Sequence, residues 1–389
     1  MNAIPYGRQT IDSEDIEAVV AVLRSDFITQ GPIVPVFEDA VANYCGSKHA
    51  VAVNSATSAL HIACAALGVR PGDIVWTSAI TFVASANCAL YCGAKVDFVD
   101  IDPKTYNLNV TCLAEKLKAA ELTGNLPKVV IPVHLCGQSC DMAAIAALSR
   151  QYGFKVIEDA SHAIGGRYRG APVGNCRFSD ISVFSFHPVK IITTGEGGMA
   201  VTNNAQVASK MRLLRSHGVS NIPSDMQPRP PSEIWNYQQI ALGFNYRMTD
   251  IHAALGISQL KKIDEFVRLR QKISRRYDEM LQEQPVVVPW QHADGESSRH
   301  LYVVRLILQR IKKTQRQVFE AMHAAGILVN LHYIPVYRQP YFEAMGFPTG
   351  YCSSAECYFS EAISLPMYPG LTDAQQRKVV DTLKAALSG

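Results

Sequence analysis

From Ala50 onward, short apolar runs alternate with longer amphipathic stretches. The runs Ala50–Val53, Ile74–Thr77, Lys95–Val99, Val129–Val133 and Val156–Glu158 are rich in valine and isoleucine and read as buried strands. Between them, Ser58–Leu67, Phe82–Cys92, Leu113–Ala120 and Met142–Gln151 place apolar residues at helical spacing. Strands of this kind separated by helices predict an α/β fold, with a mostly parallel central sheet and helices on both faces. Ligands then gather at the carboxyl ends of the strands. Ahead of this region, Ser13–Arg24 (SEDIEAVVAVLR) reads as a capped helix with acids in its first turn, and a second helix starts near Pro35 after the turn SDFITQGP.

The alternation breaks at Val219–Gln239, which contains Pro223, Pro228, Pro230 and Pro231. A solvent loop and a cover over a binding site are both open readings of that stretch. A helical region follows from Thr249 and continues, with a break near Asp264, to Leu281. Beyond about Val286 come the strand HLYVVRLIL, the helix-like TQRQVFEAMHAAG, the run ILVNLHYIP and a final helix from Asp373. These predict a smaller α+β domain over 266–389, after a large domain over 1–265 that includes the N-terminal helices.

Composition narrows the class. A chain of 389 residues is too long for one small core and suits about two domains. With 48% hydrophobic and 18% charged residues it is globular rather than disordered. A net charge of +3 makes no case for nucleic acid or an acidic membrane. The cluster Arg268, Arg270, Lys272, Arg275 and Arg276 reads as a solvated helix face. The ten cysteines lack CxxC pairs and read as buried, reduced thiols rather than metal ligands. Ala79–Ala94, interrupted by Thr81, Ser85 and Asn87, is too short to span a bilayer. The N-terminus has no basic segment followed by an apolar core, so a signal peptide is not expected and the cytoplasm is the expected location.

Candidate chemistry clusters at the predicted strand ends. Asn54–Leu60 follows a strand and opens a helix; Thr57 and Ser58 either cap that helix or join its N-terminus in holding a phosphate. Asp159 closes the run Val156–Glu158, as a turn cap or as the partner of a cationic ring nitrogen. Phe82 either stacks on a ring or packs in the core. His162 faces a cofactor oxygen or is structural. Lys190 lies in FSFHPVKIITTGEGG, between apolar neighbours and with no acid beside it in sequence. Desolvation lowers such a lysine's pKa and leaves a free amine able to attack a carbonyl. Ser185 precedes it as a second phosphate donor, and Gly195, Gly197 and Gly198 would let the chain pass close to a cofactor. An acid for a pyridine nitrogen and a lysine for a Schiff base are what pyridoxal phosphate chemistry requires.

The motifs NSATSALH, EDASHAIGG, SVFSFHPVKIITTGEGG, RSHG, GFNYRMTDIHAALGISQL and VNLHYIPVY occur in this order. Together they resemble the sugar aminotransferases of the DegT/DnrJ/EryC1/StrS family over nearly the whole chain. The likeness is nearest to its pseudaminic acid branch, through ITQGP, NSATSALH, the Ser-His after Asp159 and AECYFSEAISLP. It departs at Pro188, which stiffens the turn before Lys190, and in the proline-rich segment.

The resemblance implies fold type I, a homodimer with shared active sites, and pyridoxal phosphate on Lys190. It places Asp159 at the pyridine nitrogen, Thr57, Ser58 and Ser185 at the phosphate, Phe82 on the ring and His162 near the ring hydroxyl. Asn245 would reach the phosphate from the partner subunit. Sugar-nucleotide contacts would come from Tyr6, from Asp26, Phe27, Ile28 and Thr29, from Ala56, and from Asn330, Leu331, His332 and Tyr333. The implied reaction moves the amino group of L-glutamate to C4 of a UDP-linked 4-keto amino sugar. Another 4-keto sugar on UDP or dTDP, and a non-catalytic protein that binds the cofactor, are the alternatives. Dehydration at C3 is disfavoured, since relatives doing it carry histidine where this chain has Lys190.

Overall fold

The computed structural model describes residues 3–230 and 232–388, so Pro231 of the proline-rich segment lies outside the described residues. The central sheet contains β1 (His49–Val53), β2 (Ile74–Ser78), β3 (Lys95–Val99), β4 (Val129–Ile131), β5 (Lys155–Asp159), β6 (Ile181–Ser185) and β7 (Gly198–Thr202). Its order is β1-β7-β6-β5-β4-β2-β3. Strand β7 runs antiparallel to both neighbours, and the other pairs are parallel. Because β7 is reversed, its first residue, Gly198, stands at the same sheet edge as the last residues of β1 and β6, in register with Val53 and Ser185.

The helices before, among and after these strands are α1 (Ser13–Leu23), α2 (Ile33–Cys45), α3 (Ala56–Ala66), α4 (Ala84–Tyr91), α5 (Val110–Thr123), α6 (Met142–Tyr152), α7 (Ala205–Arg215), α8 (Asp250–Leu260) and α9 (Ile263–Leu281). Asp12 caps α1 through a reciprocal pair with Asp15. Alternate strand residues enter different cores, as the pleat requires. Val51, Val53, Ile157 and Val183 pack with α3 and α4, whereas Ala50, Ala52, Phe184 and Met199 pack with α2 and α8. Trp76, Val130 and Val156 face α5 and α6. Both faces are therefore covered, as uninterrupted apolar strands demand.

A fourth core joins Ile4, the second half of α9, the antiparallel strands Val286–Val287, Tyr302–Leu306 and Ala362–Leu365, and the final helix Asp373–Ser388. Helix α9 runs through the expected division at 265/266: Ile263, Phe266 and Val267 belong to the core under α2 and α8, and Ile273, Tyr277 and Leu281 to the fourth. Strand Ile4–Pro5 pairs with Ile327–Leu328, so the N-terminus reaches the C-terminal layer.

Of the run ILVNLHYIP, Ile327–Leu328 is strand, and Asn330 bridges to Ser364. The helical break expected near Asp264 falls at Lys261 and Lys262. Two expectations are corrected. Arg270 is 1% exposed rather than on a solvated face. It lies four residues after Phe266 and three before Ile273, on the buried stripe, and its Nη1 donates to the carbonyls of Arg299, His300 and Met367. Cys357 is exposed, and Cys92, Cys112 and Cys136 are partly so. The proline-rich segment is a ribbon at its base, where Val219–Ser220 pairs with Gln238–Gln239; Ile234, Trp235 and Tyr237 are exposed beyond it.

Candidate active site

A cavity of about 850 Å³ opens at the carboxyl ends of the central strands. The chain reaches it after β1 (Asn54–Ser58), after β2 (Thr81–Ala84), at the end of β5 (Asp159, Ser161, His162) and after β6 (Ser185, His187, Lys190). Tyr6 and Asn330–Ile334 form the opposite wall.

Helix α3 points its N-terminus at this space. Ser55 is the cap and accepts from the Ser58 amide at 3.2 Å, while the Ser58 hydroxyl donates to Asn54 Oδ1 at 2.7 Å. Thr57 also lines the cavity. The helix start sits against Gly198: a Cβ there would lie 2.5 Å from the Ala56 amide nitrogen, so only glycine lets the two segments meet. Gly197 serves a different end, since a Cβ on it would strike Thr194 and Met248 rather than anything at the α3 turn.

Asp159 ends β5, held in register with Val183 of β6. Its side chain is buried and each oxygen accepts one hydrogen bond, Oδ1 from the Ser161 amide at 3.1 Å and Oδ2 from the Ser85 hydroxyl at 2.6 Å, which leaves lone pairs for a further donor. Because the Ser85 proton goes to the carboxylate, the Thr81 hydroxyl 2.8 Å away is the donor to Ser85. This hydroxyl chain was missed in the sequence. Its trace there is the pair Thr81 and Ser85, four residues apart in an otherwise apolar stretch that has to satisfy them.

Lys190 stands five residues beyond the end of β6, in a turn rather than at a strand end. Its amide donates to the His187 carbonyl at 2.9 Å. Its amine has no hydrogen bond or ion pair among the described residues. Burial lowers its pKa to about 8, against the opposing pull of Asp159. The side chain keeps some access through the cavity while protein surrounds it on the other sides.

Phe82 is 58% exposed and faces the cavity, so the core-packing reading fails. Its ring centroid is 6.1 Å from that of Tyr333. His162 is buried; its Nδ1 accepts from the Cys136 amide at 3.3 Å and its Nε2 lies 3.2 Å from Tyr333 Oη. His300, another residue the sequence did not single out, packs on it with centroids 4.3 Å apart. Tyr6, Ala56, Asn330, Leu331, His332 and Tyr333 all line the cavity. Burial and Lys190 bring His332 down to about 3. Asp26, Phe27, Ile28 and Thr29 do not line it; they are exposed, next to α8 through the Thr29–Thr249 bridge. Asn245 is likewise exposed and outside its own chain's cavity, its carbonyl accepting from Asn54 at 3.5 Å.

The model of the DegT/DnrJ/EryC1/StrS aminotransferase family matches residues 9–384. The chain belongs to that family. It is 38% identical over 387 residues to a UDP-4-amino-4,6-dideoxy-N-acetyl-beta-L-altrosamine transaminase of Campylobacter jejuni, covering 99% of this chain and 97% of the relative. It is 37% identical over 380 residues to a GDP-perosamine synthase of Caulobacter vibrioides, covering 97% and 96%. Among solved structures, Helicobacter pylori PseC, an aminotransferase involved in the biosynthesis of pseudoaminic acid, superposes with a TM-score of 0.90 at 30% identity, covering 99% of both chains. A putative sugar aminotransferase of Streptococcus pneumoniae, solved in PLP and PMP forms, superposes at 0.87 and 0.88 with 28% identity, covering 99% of this chain and 98% and 97% of those chains.

The chain is thus a sugar aminotransferase with the fold of the PLP-dependent enzymes, and pyridoxal phosphate is its cofactor. The residues fit that group. An acid with both oxygens hydrogen-bonded, an unpaired lysine of lowered pKa and a helix N-terminus against a glycine share one cavity.

Proposed function

We propose that this enzyme transfers the amino group of L-glutamate to C4 of a UDP-linked 4-keto-6-deoxy-N-acetylhexosamine. The specific acceptor is UDP-2-acetamido-2,6-dideoxy-β-L-arabino-hex-4-ulose, as in pseudaminic acid biosynthesis. The observation that carries the chemistry is the unpaired amine of Lys190 in one cavity with the doubly hydrogen-bonded Asp159. The choice of sugar is supported by the Campylobacter relative and the Helicobacter structure.

When bound, pyridoxal phosphate supplies a carbonyl that captures amines and a ring that accepts electrons from the carbon losing its proton. Thr57, Ser58, Ser185 and the start of α3 would hold the phosphate. Asp159 would hold a proton on the pyridine nitrogen, and Phe82 would cover the ring. Lys190 takes the proton from the donor's α-carbon and later delivers one to C4 of the sugar. The wall Tyr6 and Asn330–Tyr333 orients the acceptor.

A homodimer is part of this reading. Asn245 and Asp26–Thr29 lie outside their own cavity, and Ile16, Leu23, Phe27 and Ile28 are exposed apolar residues. Contributing to a second copy's site would use all of them. The cytoplasm is the proposed location; no helix among the described residues is long and apolar enough to cross a membrane.

A second acceptor class has its own support, since the GDP-perosamine synthase stands at nearly the same identity. Turnover on a panel of UDP-, dTDP- and GDP-linked 4-keto sugars, with NMR of the product to fix C4 stereochemistry, decides between them. Preference for the UDP-linked L-arabino ketone is expected, and preference for a GDP sugar overturns the assignment. Bleaching of the enzyme's visible colour by glutamate separates a transaminase from a protein that only binds the cofactor.

A further inference from the structure

Asp26–Thr29 and Asn245, the segments outside their own cavity, are far apart in sequence but hang on one stretch of chain. Residues 245–250 bridge to Ser216 through Asn245, to Val53 through Arg247 and to Thr29 through Thr249. The stretch ends in the buried Asp250, first residue of α8. Its Oδ2 accepts from the Gly31 amide at 2.6 Å, and its Oδ1 from the Ile33 and Val34 amides at 2.8 and 3.0 Å. Its own amide donates to the Ile28 carbonyl at 3.1 Å. The cap position of α2 is Pro32, which makes no side-chain cap, so these amides depend on Asp250. Gly31 permits the approach: a Cβ there would lie 2.5 Å from Phe27 Cβ and 2.9 Å from Asp250 Oδ2.

We propose that Asp250 is a positioning residue for the sugar nucleotide: it holds the turn Asp26–Thr29 at the angle at which that turn meets the acceptor in a second copy's cavity. The inference rests on the reading of that turn as an acceptor contact. A helix start needs only a neighbouring serine, threonine or aspartate to satisfy its amides. A cap drawn from 217 positions away does more, because it locks the turn to the segment that carries Asn245. Asp26–Thr29 stay exposed while the backbone beneath them is fixed at Ile28, Thr29 and Gly31. The reaction has two halves, and the turn serves one of them. Glutamate meets Lys190 and Asp159, which the clamp does not touch, and the sugar nucleotide meets the turn. A loosened turn therefore weakens the hold on the sugar without slowing glutamate.

Asp250→Asn keeps the shape and turns one acceptor into a donor. Whichever way its amide sits, the NH2 faces a backbone N–H, that of Gly31 or those of Ile33 and Val34. The holoenzyme is assayed with the 4-keto sugar nucleotide that the wild type turns over best. The variant should raise the KM for that sugar by about tenfold, with the rate of bleaching by glutamate and the retention of cofactor unchanged. Gly31→Ala crowds the same contact from the other side and should give the same split. An unmoved sugar KM in Asp250→Asn overturns the inference, and so does an equal loss in both halves, which is general damage to the fold. If Asp250→Asn yields no folded protein, Gly31→Ala decides by the same two criteria. Thr29→Ala probes the underlying reading separately. A raised sugar KM there beside an unmoved one in Asp250→Asn refutes the clamp alone; an unmoved KM in Thr29→Ala refutes the turn as an acceptor contact, and the clamp with it.

Discussion

Asp159 and Lys190 stand in one cavity on opposite terms. Asp159 is the last residue of a strand, clamped by register to β6 and with each oxygen taken by a donor, Ser161 or Ser85. Lys190 sits in a turn five residues past its strand, with an amine that has no hydrogen bond or ion pair among the described residues. The difference matches their tasks. A group that keeps one charge in one place throughout turnover gains from rigid hydrogen bonds, since they cost no reorganisation during the reaction. A group that must capture a carbonyl, let go and carry protons between two carbons gains from having no partner to leave.

The harshest test of the contrast removes the free partner. Lys190→Ala should abolish turnover, by roughly 10⁴-fold or more, with loss of the visible band of the holoenzyme. Substantial residual activity would mean that another amine does the work. Removing the charge of the fixed partner comes second. Asp159→Asn keeps the shape and should lower kcat by about 10²–10³-fold while the protein still retains cofactor. A loss confined to KM would show that Asp159 orients substrate instead.

How far the sequence reached divides along the same line. The sheet, its two covered faces and the positions of Lys190 and Asp159 were legible, because apolar periodicity and strand-end motifs are local. What depended on distant packing was not. Ser85 meets Asp159 across 74 positions of sequence. Arg270 looked solvated until its three carbonyl partners were known, two from the 299–300 region and one from Met367. Phe82 had two readings in the sequence, ring stacking and core packing, and only the cavity explains its exposure. Strand β7 carries small residues and reverses direction, so the βα alternation gave no cue to it.

A milder perturbation loosens the clamp without touching the charge. Ser85→Ala removes the 2.6 Å bond to Asp159 Oδ2 and strands the Thr81 proton that served Ser85. A hydrogen bond to a charged group is worth about 1.5–3 kcal/mol. A fall in kcat of at least about tenfold is therefore expected, with cofactor retained. No change in kcat would show that the Ser161 amide alone fixes the carboxylate.

The smallest effect reads the lysine's freedom as a cost to the fold. In the apoprotein its pKa is about 8 against an ordinary 10.5, with burial as the cause. Below pH 8 the amine is protonated in folded and unfolded chains alike, and the folded one bears the desolvation in full. Between 8 and 10.5 the unfolded chain binds the extra proton, so this group makes stability rise with pH. Lys190→Met should then raise the apoprotein's Tm by a few degrees at pH 7, and the gain should shrink steadily from pH 8 toward 10.5. A gain that ignores pH would point to better packing by the methionine side chain. A loss at pH 7 would mean that the amine has a partner after all, and the contrast with Asp159 would fall.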